Sequence, residues 1–117
     1  NSYNLGKTQN AGIVATIGYV SKSVKLNIEN VYNSGECTSA IIGTISQKGI
    51  TTLNISNVYY NKEISQKVGA IEEGIQAYSE SEIKNNSNFI NILNNNIQNN
   101  IEWKKWKIGE DGYPTFE

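Results

Sequence analysis

The stretch Val24-Lys25-Leu26-Asn27-Ile28-Glu29-Asn30-Val31-Tyr32-Asn33-Ser34-Gly35 decides the fold, because both of its halves return elsewhere in the chain. Downstream, Thr51-Thr52-Leu53-Asn54-Ile55-Ser56-Asn57 repeats the first half, and Asn57-Val58-Tyr59-Tyr60-Asn61-Lys62 repeats the second in decayed form. Upstream, Asn1-Ser2-Tyr3-Asn4-Leu5-Gly6 repeats the second half again, so the copies lie 29 and 27 residues apart. Between them an apolar block, Gly12-Ile13-Val14-Ala15-Thr16-Ile17, recurs as Ala40-Ile41-Ile42-Gly43-Thr44-Ile45 and, shortened, as Val68-Gly69-Ala70-Ile71.

Val24, Leu26 and Ile28 alternate with Lys25, Asn27 and Glu29, and Leu53 and Ile55 alternate with Thr52, Asn54 and Ser56. Alternation at period two is a strand with one buried face. The apolar blocks suit strands buried on both sides, where Gly and Ala admit close backbone approach. A repeat of 27 to 29 residues is too short for two parallel strands joined by a helix, which takes about 30 or more. The expected fold is therefore mainly β: a short parallel β-solenoid, β-helix-like, of about three coils, with like strands stacked on their copies. Leu26, Ile28, Leu53 and Ile55 should form apolar stacks inside it.

Asn30 and Asn57 stand where parity calls for an apolar side chain, just before a Val-Tyr pair. They read as corner residues, because Asn tolerates left-handed backbone and can hydrogen-bond locally. Copies about 4.8 Å apart could form amide ladders. Tyr3, Tyr32 and Tyr59 would stack likewise, as a structural ladder or as a sugar-binding strip on the outside.

Residues 72–82 carry four Glu and a Gly and read as a loop or a frayed last coil. The repeats are thus assigned to residues 1–84. Over residues 85–117 the period changes: Ile90, Leu93, Ile97 and Ile101 make the stripe of a helix with one buried face, running from about Asn88 to Gln98 with Ser87 as N-cap. Trp103, Trp106 and Ile108 suggest a strand, Glu110-Asp111-Gly112 a turn, and Tyr113-Pro114-Thr115-Phe116 an extended tail. A solenoid leaves its last coil open, so this helix plus strand is expected to cap it, forming one structural unit with the repeats. The first coil, beginning at Asn1, should expose an edge through which the chain self-associates.

Composition excludes several chemistries. The 117 residues contain no His, no Arg and one Cys, all ten basic residues are Lys, and the formal charge is −1. There is no imidazole base, no internal disulfide, no thiolate zinc site and no guanidinium fork for phosphate. Near-zero charge gives no reason to expect nucleic acid, and no apolar run is long enough for membrane insertion. The carboxylate pairs Glu72/Glu73 and Glu110/Asp111 are adjacent in expected loops with no His or Arg to tune them, and read as solvated charge rather than catalytic or calcium-binding groups. Cys37 reads as a small buried residue, and Lys104, Lys105 and Lys107 as the solvated face of a strand with Trp106 inward. No catalytic residue, cofactor or metal is expected.

The repeats resemble the GLUG motif of large bacterial surface proteins, whose apolar strand and Asn-x-Tyr-Asn-x-Gly turn correspond to Ala11-Gly12-Ile13-Val14, Ala40-Ile41-Ile42-Gly43, and the stretches 1–6 and 30–35. The ending resembles the closure of such repeat regions through Phe89-Ile90-Asn91-Ile92-Leu93-Asn94, Trp103 or Trp106, and Gly112-Tyr113-Pro114. The third repeat departs from the pattern, with Lys62 in place of the turn Gly. The resemblance implies an extracellular piece of a longer protein at the bacterial cell surface. It implies a non-catalytic structural or presenting module, whose partners are neighbouring repeats or modules of the same parent. The alternative is an adhesin module that binds cell-surface carbohydrate or host protein through exposed aromatics, with Tyr32, Tyr59, Trp103 and Trp106 as contacts.

Overall fold

The computed structural model describes residues 1–18, 24–46 and 50–117. The chain is mainly β with parallel sheets. It runs alternately between two of them: β1 (Ser2–Asn4), β3 (Val24–Asn33), β5 (Ile50–Asn61) and β7 (Ile75–Tyr78) form one in that order, and β2 (Val14–Ile17), β4 (Cys37–Ile45) and β6 (Ser65–Gly69) form the other. The register matches the sequence repeats. Tyr3 pairs with Tyr32 and Tyr32 with Tyr59, Leu26 with Leu53, Ile28 with Ile55, and Val14 with Ile42. The side chain of Val24, expected inward, lies outside the described residues.

Asn30 and Asn57 adopt left-handed backbone, with φ of 52° and 54°. Each sits inside a long strand rather than between two, and shifts its phase by one residue. Before the kink, Leu26 and Ile28 face the interior; after it Val31 does, a step of three, while Tyr32 turns to the other face. A single left-handed residue permits such a bulge-like change of face, and Asn tolerates it better than most. This explains why Asn stands where alternation calls for an apolar residue. The amide ladders also form: Asn30 Nδ2 donates to Asn1 Oδ1 at 2.8 Å, Asn4 to Asn33 at 2.9 Å, and Asn54 to Asn27 at 3.0 Å.

Turns after these strands share one device. The side-chain oxygen of Asn4 accepts from the Gly6 N–H, that of Asn33 from Gly35, and that of Asn61 from Glu63, at 3.0–3.1 Å. The third repeat holds one extra residue: Tyr60 pairs with Asn33, which moves the turn to Asn61 and gives Glu63, not Lys62, the place of Gly35. Gly35 itself is obligatory, since a Cβ there would stand 2.2 Å from the Gly6 carbonyl oxygen.

Two cores result. Ile28, Val31, Ala40, Ile41, Ile42 and Val58 are buried between the parallel sheets, with Leu26, Leu53 and Ile55 partly buried around them. The second core lies on the outer face of the first sheet, where Tyr32 and Tyr59 are buried under Ile83, Phe89, Ile90, Leu93, Ile97 and Trp106. The expected loop at residues 72–82 instead contains β7 and a short helix, α1 (Glu80–Ile83), whose Ser79 and Glu82 form a reciprocal cap. Val58 pairs with Ile75, a step much shorter than the earlier repeats, so β7 covers only the Val58–Asn61 part of β5. The Leu53 to Ser56 portion keeps an open groove, floored by Leu53, Ile55 and Ile71.

Helix α2 (Ser87–Asn95) is capped by Asn86, whose Oδ1 accepts from Asn88 and Phe89, one residue before the expected Ser87. Phe89, Ile90, Leu93 and Ile97 are buried, whereas Ile101, expected in the same stripe, is 95% exposed because the helix ends at Asn95. Strands β8 (Trp106–Ile108) and β9 (Pro114–Phe116) form an antiparallel pair, and Trp103 precedes it. This whole segment lies along the outer tyrosine face, touching Tyr3, Tyr32, Tyr59 and Tyr78 in turn, rather than only across the end of the repeats. The tyrosine-lined side of the first sheet is the larger apolar surface in need of cover. No helix among the described residues is long and apolar enough to cross a membrane.

Candidate functional site

Of the four aromatics expected as ligand contacts, three are interior. Tyr32 is fully buried, and its hydroxyl donates to the Pro114 carbonyl. Tyr59 is 2% exposed and its hydroxyl accepts from Asn96. Trp106 is 1% exposed and its ring N–H donates to Asn1 Oδ1 at 2.8 Å. They serve as a packed seam, and a surface platform made of Tyr32, Tyr59 and Trp106 is ruled out. Tyr3 and Tyr32 do stack, with centroids 5.5 Å apart and rings 6° from parallel, but Tyr32 and Tyr59 each meet the edge of Phe89. Burial, reinforced by Tyr3, Asp111 and Tyr113, pushes the Tyr32 phenol well above its ordinary range. Burial also raises Tyr59 and Tyr78, and the hydrogen bond to the Glu80 carboxylate raises Tyr113.

The candidate catalytic groups are dispersed. Glu72, Glu73, Glu110 and Asp111 are solvent-exposed, and no group of three metal-ligating side chains occurs among the described residues. Cys37 is buried, and its sulfur accepts from Asn33 Nδ2 at 3.2 Å. Lys104, Lys105 and Lys107 are exposed around the inward Trp106.

The fourth aromatic, Trp103, is different. It is half-buried and borders a groove of about 290 Å³ that runs between the strand kinks and the turn after α2. Nearly all other lining is amide, hydroxyl or carboxylate: Asn30, Asn57, Asn96, Gln98, Asn100, Ser56 and Glu29. Three of the amides are committed to structure, Asn100 by donating to the Ile97 carbonyl at 3.1 Å. Asn30 donates to the Leu93 carbonyl at 3.1 Å, and Asn96 donates to Asn30 Oδ1 at 3.1 Å and to Tyr59 at 3.0 Å. The side chains of Ser56, Asn57 and Gln98 and the Glu29 carboxylate have no hydrogen-bond partner among the described residues. Asn30, Asn57 and Gln98, three of the four non-glycine residues described with left-handed backbone, all line this groove. For Gln98, at φ 49°, that conformation costs about 1 kcal/mol or more.

Sequence reasoning picked out Trp103 and the two corner asparagines separately but did not bring them together. The helical periodicity marks Gln98 only as the end of a helix. The early stop of α2 at Asn95, which turns 96–103 toward the kinks, has as its one sequence signal the cluster of Asn in 94–100. Comparison of the chain with family models, with curated proteins and with solved structures found no match in any of the three.

Proposed function

We propose that this chain is a short parallel β-solenoid of about three coils, acting as a non-catalytic presenting module of a bacterial cell-surface protein of the GLUG-repeat kind. The observation that carries the reading is the in-register parallel pairing of repeated residues, Leu26 on Leu53, Ile28 on Ile55, and Tyr3 on Tyr32 on Tyr59. Alternation of the chain between two parallel sheets, advancing one strand each time, supports this reading. Rigid stacking of this type suits a spacer, and the solvated, scattered carboxylates offer no paired acid and base. The partners in this reading are adjoining repeats or modules of the parent protein, and the setting is extracellular.

The experiment is surface labelling. Antibody raised against the chain should decorate intact cells of the source organism as strongly as permeabilised ones. Labelling confined to permeabilised cells would remove the surface role, and glycan turnover by the purified chain would remove the non-catalytic one.

A further inference from the structure

We propose that the bare leg of β5, residues 52–55, is a docking edge for an extended strand from a partner chain that reads apolar-Asn-apolar and adds in parallel to the first sheet. This role does not depend on the presenting function above. β3 ladders one edge of β5 along its length, whereas β7 covers the opposite edge only at residues 58–61. The gap arises inside the chain: β6 ends at Gly69 and β7 starts at Ile75, and the connection is too short to lay a strand beside residues 52–56 as well. It leaves a groove of about 590 Å³, with half-buried Leu53 and Ile55 as floor and half-buried Ile71 as wall. Gly74, at φ 81°, closes one end, where a Cβ on it would stand 2.9 Å from the Ile55 carbonyl oxygen.

Two observations point to use of this edge. In the register of β3 on β5, Lys25 pairs with Thr52 and Glu29 with Ser56. Charged side chains are a common guard of open strand edges, and on the strand that is left open both charges are replaced by small hydroxyls. The covered edge of β5 shows what this strand takes: Leu26-Asn27-Ile28 lies on Leu53-Asn54-Ile55 residue for residue, and Asn54 Nδ2 donates to Asn27 Oδ1 at 3.0 Å. Asn54 Oδ1 accepts no hydrogen bond among the described residues, so an Asn in the next layer extends the ladder. Backbone groups face the groove in the same register. The Glu29 carbonyl turns toward Asn1, away from β5, so alternation turns Leu26 and Ile28 toward β5, and their equivalents Leu53 and Ile55 toward the groove. Strand addition of this kind takes affinity from main-chain hydrogen bonds and specificity from alternate side chains. A folded second copy does not fit: with its β3 on this edge in register, its residues 31–33 would fall on β7. The occupant is an extended segment without such a continuation.

The test uses a fluorescein-labelled peptide of residues 24–30, titrated with the whole chain and followed by anisotropy. It should bind saturably. Leu26→Asn together with Ile28→Asn in the peptide should weaken binding about tenfold or more, and Asn27→Ala about threefold. In the protein, Leu53→Asn should weaken it about tenfold, Asn54→Ala about threefold and Lys107→Ala not at all, with near-ultraviolet dichroism monitoring the fold of each variant. Hydrogen exchange read by NMR locates the peptide: the Leu53 and Ile55 amides should gain protection while those of residues 58–61 stay as they were. No saturable binding, equal binding of the doubly substituted peptide, or protection gained instead at Lys25 and Asn27 on the outer edge of β3 would each overturn the proposal.

Discussion

The Tyr32 hydroxyl donates to the Pro114 carbonyl oxygen at 2.5 Å, joining the central repeat to the last strand of the chain inside a buried seam. Tyr32→Phe keeps the ring and leaves that carbonyl unsatisfied, so it should lower stability by about 1–3 kcal/mol. Urea unfolding should show a lower midpoint with unchanged slope. An unchanged midpoint would mean that water reaches Pro114.

Asn30 combines a backbone requirement with a side-chain one. Asn30→Gly loses the bonds to Asn1, Leu93 and Asn96 but accepts φ 52°, whereas Asn30→Ala loses the bonds and is strained as well. Ala should therefore be the worse substitution by about 1 kcal/mol. Equal stabilities in thermal melts would show that the left-handed turn is not what selects Asn.

The paired residues Ile28 and Ile55 should respond unequally, although their sequence positions are equivalent. Ile28 is 6% exposed, while Ile55 floors the open groove left by short β7. Ile28→Ala should cost about 2–5 kcal/mol and Ile55→Ala clearly less. Equal losses in denaturant titrations would mean that something covers Ile55 in solution.

Removing residues 86–117 should bare Tyr3, Tyr32, Tyr59 and Tyr78 together, because the segment covers all four. The truncated chain should bind a hydrophobic dye and aggregate. A soluble, folded monomer by light scattering would show that the tyrosine face is stable uncovered.

Alkali should destabilise the fold through the phenols. Tyr32, Tyr59, Tyr78 and Tyr113 have folded-state pKa values raised above the ordinary 10. Above pH 10 the unfolded chain gives up these protons first, so stability is full below that value and falls as pH rises further. Tyr32, fully buried, contributes a slope of up to about 1.4 kcal/mol per pH unit, and the more exposed phenols less because solvent screens them. Phenolate absorbance that rises fully near pH 10, with no loss of structure, is the result that contradicts this.

The strand pairings were legible because identical residues recur at near-constant spacing, and Leu26 over Leu53 follows from that alone. The left-handed backbone at Asn30 and Asn57 was legible too, since only Asn and Gly suit it cheaply, but as a turn between strands rather than a kink within one. The fourth strand was not. Ile75-Gln76-Ala77-Tyr78 is a short strand without the repeat's polar alternation, and its pairing depends on the loop at 70–74 being short, which is a tertiary fact. The position of residues 85–117 was hidden for a related reason: helical periodicity shows that a face is buried but not against what. In the groove, Trp103 was visible as an aromatic, while its neighbours Gln98 and Asn57 come from segments about 40 residues apart.

The C-terminal segment is anchored at one end of the tyrosine row by Trp106 and Lys104 on Asn1, and at the other by Tyr113 on Glu80 beside β7. Each additional strand in the first sheet would lengthen that row by about 4.8 Å, while the segment's own length stays fixed. The segment therefore works as a gauge. A repeat inserted between β3 and β5 would pull one set of anchors out of reach, so the number of strands it covers and the length of this covering piece cannot vary independently. A strand added outside β1 would leave that interval unchanged.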